Sequence, residues 1–212
     1  MRRFFIADPH FGCERFINNF PRCRPHTTDL FASIEEHDEY LLEAINMVVD
    51  EKDELHILGD FCYKRPGKYR SRIKCRHVFL TRGNHDPVRA SRNVFGEIPF
   101  VRHTKVRGID EDGNPHSLKV VLCHTPMAFW DGSHKGWGHL YGHCHGQREM
   151  TMDKGLGWTR RSMDVGVDHI VKETGGFSPL DEEEIFGRFA SVVGHDLPSF
   201  YPNHRAMQEP GT

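Results

Sequence analysis

The sequence predicts an α/β domain, and three observations predict it. Short apolar runs end at polar or glycine-containing turns, as buried strands do. Segments with helical apolar spacing lie between and after those runs. The chain has 212 residues, enough for one well-packed core, with no internal repeat or interdomain linker. One domain is expected over 1–200, followed by a polar tail at 201–212 that contains Pro202 and Pro210.

Met1-Arg2-Arg3-Phe4-Phe5-Ile6-Ala7 begins like a signal peptide, but its apolar run stops at Asp8, too early for one. Arg3 to Ala7 is therefore a first strand. Ser33-Ile34-Glu35-Glu36 fits a capping box, and Ile34, Leu41, Ile45 and Val48 then recur at helical spacing. Further strands are expected over Leu55 to Leu58, His77 to Leu80, Leu118 to Leu122, Gly138 to Tyr141 and Met163 to Val167. A second helix is expected from about Pro66 to Cys75 and a third from about Leu180 to Ser191. The cluster Asp110 to Pro115 predicts a hairpin tip, and Trp130 to Gly138 a loop.

Composition excludes little but bounds the partners. The chain is 37% hydrophobic and 27% charged, with 28 Lys plus Arg against 30 Asp plus Glu and a formal charge of -2. That balance gives no global attraction to nucleic acid or membrane. No apolar stretch approaches the roughly 20 residues of a membrane helix, so a cytoplasmic location without membrane association is expected. Cys13, Cys23, Cys62, Cys75, Cys123 and Cys144 include no C-x-x-C pair, so reduced thiols are expected rather than disulfides.

The chain holds 16 histidines, and their positions matter more than their number. Each of five expected strands is followed by candidate ligands: Asp8-Pro9-His10, Gly59-Asp60, Gly83-Asn84-His85-Asp86, Cys123-His124 and Gly142-His143-Cys144-His145. Loops after strand C-termini converge on one edge of an α/β sheet, so residues distant in sequence can meet there. Taken singly, each piece has a bland reading. Asp-x-His is more often a turn, Gly-Asp is commonplace, and a single His is usually a partly buried one. Together they give seven candidate metal ligands: Asp8, His10, Asp60, Asn84, His124, His143 and His145. Carboxylate, amide and imidazole donors without thiolate suit Mn²⁺, Fe²⁺, Ni²⁺ or Zn²⁺. Seven donors are too many for one ion with open positions and fit two divalent ions sharing a carboxylate.

The order D-x-H, G-D, G-N-H-D, H, G-H-x-H resembles the signature of the calcineurin-like metallophosphoesterase superfamily. The small bacterial and phage phosphoesterase members are similar in beginning DTHFGH and ending NVGVD, where this chain reads Asp8 to Cys13 and Asp164 to Asp168. The resemblance spans roughly residues 2 to 186. It implies a two-sheet β-sandwich flanked by helices, with two metal ions at the strand ends and Mn²⁺ first among them. One ion would take Asp8, His10, Asp60 and His145, and the other Asp60, Asn84, His124 and His143, with Asp60 bridging. Two departures stand out. Cys13 replaces the family's usual His after Phe-Gly, which bears on substrate choice. Phe61-Cys62-Tyr63 follows Asp60 in place of the Val-Asp-Arg-Gly of Ser/Thr protein phosphatases.

The expected activity is hydrolysis of a phosphate ester by hydroxide held between two metals, with a phosphodiester or nucleotide-type substrate favoured. His85 is the candidate for protonating the leaving oxygen, and Asp86 for orienting its imidazole. Arg82, Asn84 and His85 are the candidate substrate contacts. The seven Lys or Arg residues from Lys64 to Arg76 fit either a solvated helix face or substrate contact. Nucleic acid is weakly supported, since only Tyr63 and Tyr69 are interleaved there. Phe129, Trp130 and Trp137 read equally as pocket walls or core. A phosphomonoesterase on the same site, or a non-catalytic scaffold binding protein partners, are the alternatives.

Overall fold

Apolar runs of four or five residues become the central strands. A computed structural model of the chain describes residues 1–15, 31–110, 112–147 and 161–191; the expected tail at 201–212 and Cys23 lie outside them. In the first sheet β1 (Arg3–Ile6), β2 (Glu54–Leu58) and β3 (His77–Thr81) run parallel. In the second sheet β4 (Val101–Ile109) and β5 (Pro115–Cys123) form an antiparallel hairpin, and β6 (Gly138–Tyr141) and β7 (Ser162–Asp164) continue parallel to β5. A short β8 (Leu180–Asp181) returns antiparallel to β1. The two four-stranded mixed sheets have the orders β3-β2-β1-β8 and β4-β5-β6-β7.

One core joins them: Ile6, Leu55, Ile57 and Leu80 from the first sheet share a cluster with Val106, Val120, Leu122 and Leu140 from the second. The sheets are also sewn together at one edge. The Ala7 N–H donates to the Val165 carbonyl at 2.8 Å, and the Ala7 carbonyl accepts from Val167 N–H at 3.0 Å. The C-terminal ends of β1 and β7 are therefore adjacent, which places the turns after both sets of parallel strands on a common rim.

Helices flank the sheets. In α1 (Ile34–Val48) the Ser33 hydroxyl accepts from Glu36 N–H at 3.2 Å, and Glu36 reaches back to the Ala32 N–H at 2.8 Å, one residue earlier than the expected capping box. The helix α2 (Pro66–Arg70) is shorter than expected. Beyond it Ile73 and Cys75 are buried while Arg72, Lys74 and Arg76 are exposed, a period of two that extended chain satisfies and helix does not. Much of the basic stretch is structural: Arg72 pairs with Glu39, Arg76 with Glu51, and Arg70 donates to two carbonyls. The helix α3 (Val88–Phe95) falls in a segment for which no element was expected. The helix α4 (Val167–Thr174) begins at the last residue of the expected strand Met163 to Val167, of which β7 keeps only the first part, and β4 leads into the hairpin tip expected at Asp110 to Pro115. Asp181 caps α5 (Glu182–Ala190) by accepting from Glu184 N–H at 2.9 Å, so that helix starts after β8 rather than at Leu180. Among the described residues no helix is long and apolar enough to cross a membrane.

Candidate metal centre

The chain has to turn sharply at the rim, and it does so with strained residues. Among the described residues the non-glycine positions with left-handed backbone are Asp8, His10, Asp60, Arg65, His143 and His145. Five of these six are candidate ligands. Such a backbone costs an L-residue about 1 kcal/mol or more and persists only where surrounding contacts enforce it. Glycines supply the room. A Cβ on Gly83 would lie 2.2 Å from Asp60 Oδ1, and one on Gly142 would lie 2.4 Å from Asp8 Oδ2.

The result is one connected cluster. His10 Nε2 lies 3.9 Å from Asp8 Oδ1 and 3.5 Å from Asp60 Oδ2. On the other side His124 Nε2 lies 3.4 Å from that same Asp60 oxygen, and its Nδ1 lies 3.7 Å from Asp8 Oδ1. His124 also contacts Asn84 Oδ1 at 2.9 Å and His143 Nδ1 at 3.2 Å. The His145 ring stacks on His10 at 5.2 Å. All seven candidates thus meet, although they span positions 8 to 145. Two groups have donor atoms mutually within 4.8 Å: Asp8 with His10 and His145, and Asp8 with Asp60 and His124. Either group can hold a metal ion.

Burial and charge act against each other here. Desolvation, helped by Asp164 and Asp60, pushes the Asp8 carboxyl up to about 7 against the pull of His124 and His145. Burial also opposes ionisation of Asp60, but the hydrogen bond and charge of His124, together with those of His85, outweigh it and hold that carboxyl below the usual range. Burial disfavours a charged His124, yet Asp60 and Asp8 push it up to about 9. Burial, then the charge on His124, lowers His143. Two buried carboxylates side by side demand positive charge within a few ångströms, and a divalent cation would meet the same demand.

The histidines are also aimed. His124 Nδ1 donates to the Leu58 carbonyl at 2.9 Å, which turns Nε2 toward the cluster. His145 Nδ1 lies 2.7 Å from Asp168 Oδ2 and leaves its other nitrogen for the cluster. Ligand imidazoles are held in this way at metal sites, by an oxygen on the far nitrogen. Asp168, at the start of α4, was not expected as a site residue. Its only sequence signal is its place within Asp164 to Asp168. A second unexpected residue is Asp38 of α1, whose carboxylate accepts from the Gly12 N–H at 2.9 Å and pins the loop after His10.

One expected contact is corrected. Asp86 does not orient the His85 ring. Its carboxylate accepts from the backbone N–H groups of Asp60, Phe61 and Gly83 at 3.0, 2.9 and 2.8 Å, because its burial beneath two tight turns leaves those donors without water. Arg82, the expected phosphate contact, places its guanidinium over the Phe100 ring at 4.5 Å. His85 itself is exposed at the rim. Its N–H donates to Asp60 Oδ1 at 2.8 Å and its ring stacks on Tyr63 at 4.9 Å. Asn84 and His143 are exposed as well, so the cluster opens to solvent on their side. Trp130 is buried and donates to the Trp137 carbonyl, whereas Phe129 is exposed.

No family model matches the chain. It is similar to an uncharacterized protein of Methanocaldococcus jannaschii, 28% identical over 150 residues that cover 68% of this chain and 70% of the relative. The crystal structure of a protein of unknown function from Aquifex aeolicus is similar in fold, with a TM-score of 0.62 and 22% identity over 88% of this chain and 98% of that one. The second likeness establishes a shared architecture and nothing about chemistry.

Proposed function

We propose that the chain is a metal-dependent phosphoesterase of the metallophosphoesterase type, working with two divalent cations on a phosphodiester or nucleotide-type substrate. The position of Asp60 Oδ2 supports this most: it lies 3.5 Å from His10 Nε2 on one side and 3.4 Å from His124 Nε2 on the other. A carboxylate oxygen so placed suits a bridge between two ions. When bound, a pair of cations lowers the pKa of a shared water and neutralises charge on a phosphoryl group. The chain's own residues do the rest. Leu58 and Asp168 fix the tautomers of His124 and His145. Asn84 and His143 border the open side, where a phosphate can approach. His85 stands at that opening on the Tyr63 ring, placed to give a proton to the leaving oxygen. The mixed oxygen and nitrogen donors, without thiolate, favour Mn²⁺, with Fe²⁺, Ni²⁺ and Zn²⁺ as alternatives.

The test is a metal-by-substrate matrix on the full chain. Chelator-stripped protein is reloaded with each metal, its metal content is measured, and bis-p-nitrophenyl phosphate is compared with p-nitrophenyl phosphate. Two ions per chain and faster diester hydrolysis are expected. Asp60→Asn should lose both metal and activity, while His85→Ala should keep the metal and slow turnover by about 10²-fold. Loaded protein that hydrolyses neither compound would instead be a metal-binding scaffold, and full metal content in Asp60→Asn would remove the bridging role.

A further inference from the structure

A second feature lies on the outward face of the second sheet, away from the rim. Along β4 the even positions turn inward, with Val106 buried, and the odd positions His103, Lys105 and Arg107 turn outward. Ser117 and Lys119 of β5 stand beside them, paired as Arg107 with Ser117 and Lys105 with Lys119. The loop carrying Trp137 closes one side, and together these residues line a groove of about 600 Å³.

The charge in this groove is arranged at a cost. Lys105 and Lys119 sit directly opposite one another across the hairpin, where like charges destabilise a sheet. The nearby carboxylates are already engaged. Glu182 is buried and pairs with Arg107 and Arg3, and Asp131 lies 3.4 Å from His103. Among the described residues neither lysine has a carboxylate partner. Lys119 is also held in place, its Nζ 4.4 Å from the centroid of the Trp137 ring, which packs on Gly132. An arrangement that raises the energy of the free protein and orients its unpaired cations suits an anionic ligand.

We infer that this groove binds the phosphate backbone of a single-stranded nucleic acid. Outward residues recur roughly every 7 Å along a strand, so the unpaired Lys105 and Lys119 stand between Arg107, itself bonded to Glu182, and His103, beside Asp131, and give an extended polyanion a short row of donors with the Ser117 hydroxyl alongside. The His103 end of the row is the one nearer the rim, since its register partner Val121 lies three residues before His124, in the turn after β5. The groove offers no open aromatic ladder for bases, so recognition is of backbone charge rather than sequence. This inference does not rest on the hydrolytic reading, because the groove contains none of the metal-ligand candidates.

The experiment keeps the two apart by working in chelator. Fluorescence anisotropy of a labelled oligothymidylate is measured on the full chain over a range of salt concentrations. Binding that weakens with salt is expected, and Lys105→Ser with Lys119→Ser should reduce affinity about tenfold or more and flatten the salt slope by about 1.4. Removing a like-charge pair should leave the melting temperature unchanged or raised, so loss of fold does not confuse the result. Lys68→Ser with Lys74→Ser, in the other basic stretch, should change affinity less than twofold. Equal weakening by both double variants, no binding at low salt, or equal competition by polyglutamate would each overturn the inference.

Discussion

The two sheets contribute to the rim in different ways. The first sheet supplies Asp8, His10, Asp60 and Asn84 from turns after β1, β2 and β3, and carboxylates hold those turns in shape. Asp86 gathers three backbone N–H groups, and Asp38 holds the Gly12 N–H. The second sheet supplies only imidazoles, His124, His143 and His145, from turns after β5 and β6. Two of its rings, His124 and His145, are each steered by one oxygen, the Leu58 carbonyl and the Asp168 carboxylate. A turn gripped by several charged hydrogen bonds resists deformation, whereas a ring steered by one bond depends on that bond. The first half should therefore fail through loss of folded geometry, and the second through loss of ligand aim or through protonation.

The largest effect should follow from crowding the first half. Gly83→Ala puts a methyl group into the Asp60 carboxylate and its backbone N–H, at 2.2 and 2.3 Å. Neither can retreat without losing contacts to His85 or Asp86. We expect metal uptake to be abolished and stability to fall by about 3 kcal/mol, read by metal analysis and urea denaturation. A variant that loads metal normally would show the turn to be soft. Asp86→Ala comes next, with about 2 to 3 kcal/mol lost because three N–H groups are left without their acceptor. Were Asp86 chiefly a partner of the His85 ring, the same change would slow turnover and leave the denaturation midpoint in place.

The sequence carried the strands and the list of donors further than it carried their arrangement. Strand Gly138–Tyr141 has the expected limits, and β1 and β2 differ by one residue, because each is an apolar run bounded by turn residues. The helix α3 has only Ser91 fully buried, and the inward positions of β4 are Arg102, Thr104, Val106 and Gly108, with one apolar side chain among them, so neither shows an apolar signal. The seven candidates were legible because each follows a strand. The left-handed backbones of five of them were not, since nothing in an Asp or a His announces a φ of +48° to +71°. The partners that aim them were also hidden: Asp86 and Asp168 are recognisable as acidic, but their hydrogen bonds depend on where distant turns meet.

The second half should respond more gently, through aim. Asp168→Asn keeps the size of the side chain and removes its charge from His145 Nδ1. Metal affinity should fall roughly 10- to 100-fold, measured by competition with a chromophoric chelator, while the denaturation midpoint of the metal-free chain stays nearly constant. An affinity equal to that of the parent would mean that stacking on His10, not the Asp168 bond, sets the ring.

The smallest effect concerns pH and lies just behind the second half, at His139 of β6. Its Nδ1 donates to the Val121 carbonyl at 3.0 Å, so its Nε2 accepts from Met127 N–H at 3.2 Å and steadies the segment after His124. Burial pushes its pKa down to about 4, with the carbonyl contacts pulling the other way. An unfolded chain takes up this proton near 6.5, so the unfolded state binds more protons between those two values. Stability attributable to His139 is therefore complete above pH 6.5 and declines as pH falls toward 4. Between pH 7.5 and 5.5 the parent should lose about 1 kcal/mol through this group, measured by urea denaturation in chelator. His139→Gln lowers stability at pH 7.5 but should show that much less decline toward pH 5.5. If its decline matches the parent's, the acid sensitivity of this half belongs to other groups, and the contrast between the two sheets rests on ligand aim alone.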